Sequence, residues 1–274
     1  MTSDLNLQDV LNFLFEVADR AGQELMANFN RVECAVDPKD LLVGGIDVVT
    51  CADRASEESI LSAIKTNFPE HDILSEEAGA KGKGSPWLWV VDPLDGTINF
   101  AHGFPLFSVS IALMKDGVPV LGMIHDPILK ENFYALKGGG AHVNGRPVRV
   151  SWNDKLKESV VGTVFPHERA YSSATNVSEV SRVVMRAQGM REIGSPAVNL
   201  AYVACGRLDG CWGLKLKPYD LAAGVIIVEE AGGRISDRGG NPTDVYTDFL
   251  VATNGLIHDE LIALLSDDSA ESVP

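Results

Sequence analysis

The segment Trp87-Leu88-Trp89-Val90-Val91-Asp92-Pro93-Leu94-Asp95-Gly96-Thr97 constrains the fold of this chain more than any other. Its first five residues form a short, continuous apolar run, the pattern of a strand buried on both faces. The run ends on Asp92, Pro93 turns the chain, and a second carboxylate, Asp95, follows three residues after the first. Gly96 lets the backbone approach a ligand closely, and Thr97 stands where a helix or turn begins. Free N–H groups at such a point bind phosphate, and two neighbouring carboxylates can share a hard cation. The competing reading is a plain turn in which Asp92 and Asp95 only cap backbone groups.

The flanking patterns supply further helices and strands. From Leu7 to Phe29, Val10, Leu11, Leu14, Val17, Ala18, Ala21 and Leu25 recur at helical spacing, and a second helix is predicted from Asp53 to Asn67 before Phe68-Pro69. Strands fit Phe107 to Met114 and Val118 to His125, joined by the hairpin dipeptide Asp116-Gly117. Phe133 to Leu136 and Val148 to Val150 continue the sheet around a second turn, Asn144-Gly145. After about Ser151 the character changes. A strand from Val160 to Phe165 precedes helices at Ser178 to Gln188 and Ala197 to Cys205. A strand then runs from Leu208 to Trp212, and a helix from Asp220 to Ala231 closes on Gly232-Gly233. This order predicts two mixed α/β subdomains, residues 1–150 and 151–274, sharing an interface.

Composition narrows the class. A hydrophobic content of 45% with 22% charged residues is that of a globular protein, and 274 residues suffice to bury a large core. The formal charge of −15 leaves no basic stripe for nucleic acid or anionic membranes. No apolar run approaches the ~20 residues of a membrane span. Met1 to Gln8 lacks a secretory pattern, so a cytoplasmic protein is expected. Cys34, Cys51, Cys205 and Cys211 form no CxxC pair, so reduced thiols are expected and a zinc site is not. Gly79 to Ser85 places its lysines wrongly for a P-loop and reads as a flexible surface loop. The tail from Asp267 to Pro274 is polar and turn-rich.

Further motifs stand around the Asp92 segment. They are Asp47-Val48-Val49-Thr50 with Asp53, Ser75-Glu76-Glu77, Ile98-Asn99-Phe100, His102-Gly103-Phe104-Pro105 and Lys137-Gly138-Gly139-Gly140-Ala141. Gly194-Ser195, Tyr219-Asp220-Leu221-Ala222-Ala223-Gly224 and Glu230-Ala231-Gly232-Gly233 follow. In this order they resemble the inositol monophosphatase family across nearly the whole chain. The resemblance implies the layered αβαβα sandwich of the sugar-phosphatase superfamily, an α/β (α+β) fold with its active site at the subdomain interface. It also implies Mg²⁺, about two or three ions per site. Glu76, Asp92 and the Leu94 carbonyl would hold the first, and Asp92, Asp95 and Asp220 the second. These all-oxygen donors suit a hard cation. Asp47 and the Thr97 hydroxyl match the family's water-activating pair, and Glu76 joins them as catalytic. Leu94, Asp95, Gly96, Thr97, Gly194, Ser195, Pro196 and Asp220 fall at the substrate.

The implied reaction is direct in-line hydrolysis of a small phosphorylated metabolite, an inositol monophosphate, by a metal-activated water. Lithium sensitivity and a homodimer are family traits carried with it. A haloacid-dehalogenase-type phosphatase is disfavoured, since its two aspartates lie two residues apart and these lie three apart. An inactive binding homologue is disfavoured because every carboxylate is present.

One stretch departs from the family. Gly213 stands seven residues before Asp220, where a glutamate usually contacts substrate hydroxyls, and Tyr219 replaces the usual tryptophan. Histidinol phosphate and fructose 1,6-bisphosphate therefore remain alternative substrates. Lys215 and Lys217 alternate with Leu214 and Leu216, which predicts a solvated strand face; the sharper alternative has one of them meet a second anionic group.

Overall fold

The computed structural model describes residues 5–30, 51–166 and 175–266. The first apolar stripe forms α1 (Leu7–Asn28), with Asn6 capping it through the Gln8 N–H at 3.1 Å. Beside it lies α2 (Cys51–Asn67). The two helices cover one face of an eight-stranded sheet, packing around Leu14, Ile60, Trp89 and Ile111.

That sheet contains β1 (Asp72–Ser75), β2 (Gly79–Lys81), β3 (Trp87–Asp95), β4 (Ser108–Lys115) and β5 (Val118–Asp126). It is completed by β6 (Glu131–Leu136), β7 (Gly140–Val143) and β8 (Arg146–Val148), in the order β2-β1-β3-β4-β5-β6-β7-β8. Both expected hairpin turns form. Asp116 and Gly117 have φ of 50° and 81°, and Asn144 and Gly145 have φ of 49° and 77°, the mirror-image turns that match strand twist.

The second sheet has five strands, β9 (Val160–Thr163), β10 (Gly189–Glu192), β11 (Gly210–Leu214), β12 (Arg234–Ser236) and β13 (Phe249–Thr253), ordered β10-β9-β11-β13-β12. The remaining α-helices among the described residues are α3 (Thr97–Ala101), α4 (Val177–Val184), α5 (Pro196–Ala204), α6 (Pro218–Glu230) and α7 (His258–Leu265). Helices α5 and α6 lie between the sheets, which is why they are apolar nearly all round: Leu221 through Val228 are all buried. A third core, around Trp212, Val251 and Leu261, joins the second sheet to α4 and α7. Helix, sheet, helix, sheet, helix: this is the αβαβα sandwich expected from the sequence.

Three expectations fail locally. The helix predicted to Gln188 stops at Val184, because the chain turns back on the Val183 carbonyl and Gly189 enters β10 beside β9. The supposed flexible loop at Gly79 to Ser85 is part strand and is anchored. The Asp72 carboxylate accepts N–H groups of Lys83 (2.8 Å), Gly84 (2.9 Å) and Ser85 (2.9 Å), and these bonds hold its pKa low. Cys205 and Cys211 are free thiols, but Cys51 is disulfide-bonded. Spacing along the chain does not report which cysteines meet in space. Among the described residues no helix is long and apolar enough to cross a membrane.

Candidate active site

Strand β3 pairs with β1 only as far as Val91, and its register with β4 shifts between Asp92 and Asp95. The metal-binding candidates therefore lie on a bulge in a continuing strand, where the sequence suggested a turn beyond the strand's end. Pro93 has no N–H to offer a ladder and sits in that bulge, its carbonyl accepting from Ser56 of α2 at 2.8 Å. The Asp92 carboxylate accepts the Leu94 N–H at 3.0 Å, and the Thr97 hydroxyl donates to the Leu94 carbonyl at 3.0 Å. Gly96 opens α3 at φ +96°, and a Cβ there would lie 3.1 Å from the Leu106 carbonyl oxygen. Only glycine fits that crowded, left-handed position.

Asp95 is buried, and one of its oxygens accepts three hydrogen bonds. The donors are Ser108 of β4 (3.1 Å), the Ala197 N–H at the start of α5 (3.0 Å) and the Ser195 hydroxyl. Ser195 also caps α5 by accepting the Val198 N–H at 3.2 Å. It was expected at the substrate; it is fully buried and faces Asp95. Asn99 fastens the same region, its amide donating to the Leu106 and Ile193 carbonyls, each at 2.7 Å. Asp220 is the third residue of α6, after Pro218 in first place, and accepts the Lys217 N–H at 2.6 Å. The helix thus begins before Asp220, which places a carboxylate in the first turn, where the helix dipole favours it.

Asp92, Asp95 and Asp220 each bring a carboxylate oxygen within 4.8 Å of the other two. Glu76, which follows β1, stands beside Asp92. Burial, followed by the charges of Glu76, Asp95 and Asp220, holds the Asp92 pKa well above the usual carboxylate range. Burial and then the charge of Asp220 push Glu76 up to about 8. Burial raises Asp95 to about 6, against the opposing pull of its Ser195 and Ser108 donors. As bare anions these groups repel one another in a desolvated site; around a divalent cation the same crowding becomes favourable. The donors are oxygen throughout, and the set fits Mg²⁺.

The carboxylates line a cavity of about 560 Å³, together with Gly96 and Thr97. Gly194 and Pro196 line it too, whereas Asp47 lies outside the described residues. Val164, Phe165, Pro166, Leu214 and Leu216 line it as well, with Glu192 and Asp248. Lys215 and Lys217 also line the cavity, and the solvated strand face expected for them does not form, because β11 has already ended at Leu214. Lys215 has φ +58°, and its N–H donates to the Asp248 carbonyl at 2.7 Å. Ser108, Glu192 and Asp248 do not stand out in the sequence. No local signal marks them, since their relevance comes from contacts across the fold.

A profile described as the inositol monophosphatase family matches residues 6–270. The chain belongs to the inositol monophosphatase family. An inositol-1-monophosphatase from Synechocystis sp. is 40% identical over 265 residues, covering 96% of this chain and 91% of that protein. A fructose-1,6-bisphosphatase/inositol-1-monophosphatase from Thermotoga maritima is 39% identical, over 94% of this chain and 96% of the relative. The solved structure of an inositol monophosphatase from Anabaena (Nostoc) sp. superposes with a TM-score of 0.85 at 40% identity, covering 95% and 96% of the two chains. Like the inositol monophosphatase family as a whole, this chain is a phosphoric monoester hydrolase of a metal-dependent kind.

Proposed function

We propose that the enzyme is a Mg²⁺-dependent phosphomonoesterase whose substrates include inositol monophosphates. The observation that carries this reading is the oxygen cluster of Asp92, Asp95 and Asp220, backed by Glu76 and set beside the Gly96–Thr97 backbone in one cavity. Glu76, Asp92 and the Leu94 carbonyl would hold one ion, and Asp92, Asp95 and Asp220 another. When bound, Mg²⁺ supplies the positive charge that lets a phosphate dianion enter and makes a water a better nucleophile. The Gly96 and Thr97 amides orient the phosphate. The Thr97 hydroxyl already donates to the Leu94 carbonyl, so towards a water it offers lone pairs, and Asp47 would be the proton acceptor. Residues 1–150 and 151–274 serve as the two subdomains, the first bringing most carboxylates and the second Asp220.

A second reading is favoured by Lys215 and Lys217 at the cavity: an ester carrying a second anionic group, such as fructose 1,6-bisphosphate. Phosphate release from inositol 1-phosphate, histidinol phosphate and fructose 1,6-bisphosphate, measured with Mg²⁺ and with added lithium, separates these readings. Asp95→Asn removes a charge from the cluster without emptying its place, and should lower kcat/KM on every ester by at least about a hundredfold. Undiminished hydrolysis by that variant would place the chemistry elsewhere.

A further inference from the structure

The apolar part of the cavity lining is built around Gly213. Gly213 is buried in β11, and a Cβ built on it would lie 2.5 Å from Cδ1 of Leu216 and 3.2 Å from Cγ2 of Val164. The side chain of Leu216 therefore folds back from the segment after β11 and fills the space over Gly213. In that position it packs against the middle core and still faces the cavity. Val164, Phe165, Pro166 and Leu214 continue the same apolar surface.

This wall is also held rigidly. Asn176, buried and at φ +68°, donates to the Thr163 hydroxyl and the Val164 carbonyl, each at 2.8 Å. It accepts the Trp212 indole N–H at 2.6 Å, and Thr163 in turn donates to the Trp212 carbonyl at 3.0 Å. The ends of β9 and β11 are thereby bolted together beside Leu216.

On the phosphomonoesterase reading the carboxylates and the Gly96–Thr97 backbone are taken up by cation and phosphate, so the leaving alcohol meets the rest of the lining, Leu216 among it. We infer that Leu216 determines which alcohol the site accepts. It gives the lining left to the alcohol an apolar surface that discriminates against a densely hydroxylated ring in favour of an alcohol with an apolar face. A hydroxyl turned to the Leu216 side chain loses water and gains no partner from it, although Glu192, Lys215, Lys217 and Asp248 also line the cavity. Apolar pockets discriminate by roughly 10- to 200-fold per methylene or unmatched hydroxyl.

The test compares kcat/KM for inositol 1-phosphate, phenyl phosphate and glycerol 2-phosphate in wild type, Leu216→Gln, Leu216→Met and Gly213→Ala, with Mg²⁺. Each substrate is compared with itself across variants, so the intrinsic reactivity of the leaving group cancels. Leu216→Gln should raise the inositol-to-phenyl ratio at least about tenfold, with glycerol 2-phosphate changing little. Gly213→Ala displaces the Leu216 side chain without altering it and should move the ratio in the same direction. Leu216→Met should leave it near wild type. A ratio unmoved in both Leu216→Gln and Gly213→Ala, with glycerol 2-phosphate still hydrolysed, would overturn the inference and leave the phosphomonoesterase reading standing. A wild-type enzyme releasing phosphate from none of the three esters would overturn the phosphomonoesterase reading, and this inference with it.

Discussion

Asp95 meets three donors through one oxygen, which leaves its other oxygen to point at the cluster. Ser195 is the donor that also caps α5, so the carboxylate and the helix start are fixed by one hydroxyl. Groups that orient metal-binding side chains typically change metal affinity by about 10–100-fold when removed. Ser195→Ala should therefore raise the Mg²⁺ concentration for half-saturation by roughly that factor, read by calorimetric titration. It should also lower stability by about 1 kcal/mol through the lost cap. Ser195→Thr, which keeps the hydroxyl, should restore the affinity. An unchanged Mg²⁺ titration in the alanine variant would reduce Ser195 to a helix cap. Asp92 and Asp95 stand out in the sequence as two carboxylates at a strand end, and Asp220 joins them there only through the resemblance of the motifs around it to the inositol monophosphatase family. Ser195 reads there as a substrate contact, since nothing local says that its hydroxyl faces a carboxylate 100 residues away in sequence. Lys215 is misread for a similar reason: alternation suggests a strand, and only the fold shows that the strand ends one residue earlier.

Secondary elements follow local chemistry wherever a turn or a stripe settles them alone. The stripe of α1 and the two hairpin turns needed no tertiary information. The break after α4 did, because Gly189 leaves the helix to pair with Val160 on a distant strand. Helix α6 shows a device that the sequence displays without explaining. Its carboxyl end reaches the β6–β7 hairpin, where the Glu230 carboxylate accepts the Gly138 N–H at 2.7 Å and the Gly140 N–H at 2.8 Å. The Gly-rich stretch and the distant glutamate therefore form one joint. Farther along, α6 approaches β5 so closely that a Cβ at Gly122 would stand 2.7 Å from the Ala223 carbonyl oxygen. Backbone cannot yield as a flexible side chain does, so the sheet and helix would have to part. Gly122→Ala should cost about 1–3 kcal/mol of stability, the usual range for overpacking, measured by chemical denaturation. A loss below about 0.5 kcal/mol, the scale of ordinary surface changes, would mean that the layers slide freely.

At the scale of the whole molecule, two sets of buried groups respond to acid in opposite senses, and Mg²⁺ separates them. His258 is buried between Thr253 and Ser236, hydrogen-bonded to both at 2.9 Å, and burial lowers its pKa to about 4. Its folded value lies below the unfolded one, so its contribution is intact above about pH 6.5 and is lost as pH falls towards 4, by up to about 1.4 kcal/mol per pH unit. The carboxylate cluster has the opposite sign. Glu76 and Asp95 are raised to about 8 and about 6, so the metal-free fold takes up protons before the unfolded chain does and gains stability as pH falls through those values. A bound cation keeps the cluster ionised, and protons must then compete with it. Saturation at a hundred times Kd adds about 2.7 kcal/mol, roughly 5–10 °C in Tm for a chain of this size. That increment over a chelated sample should appear at pH 8 and shrink steadily towards pH 5, where protons occupy the cluster. In saturating Mg²⁺, stability should instead decline across pH 6.5 to 4 on the His258 side. Scanning calorimetry at pH 8, 6.5 and 5, with Mg²⁺ or with chelator, reads both effects. An equal Mg²⁺ shift at pH 8 and pH 5 would show that the ion is not held by these raised carboxylates.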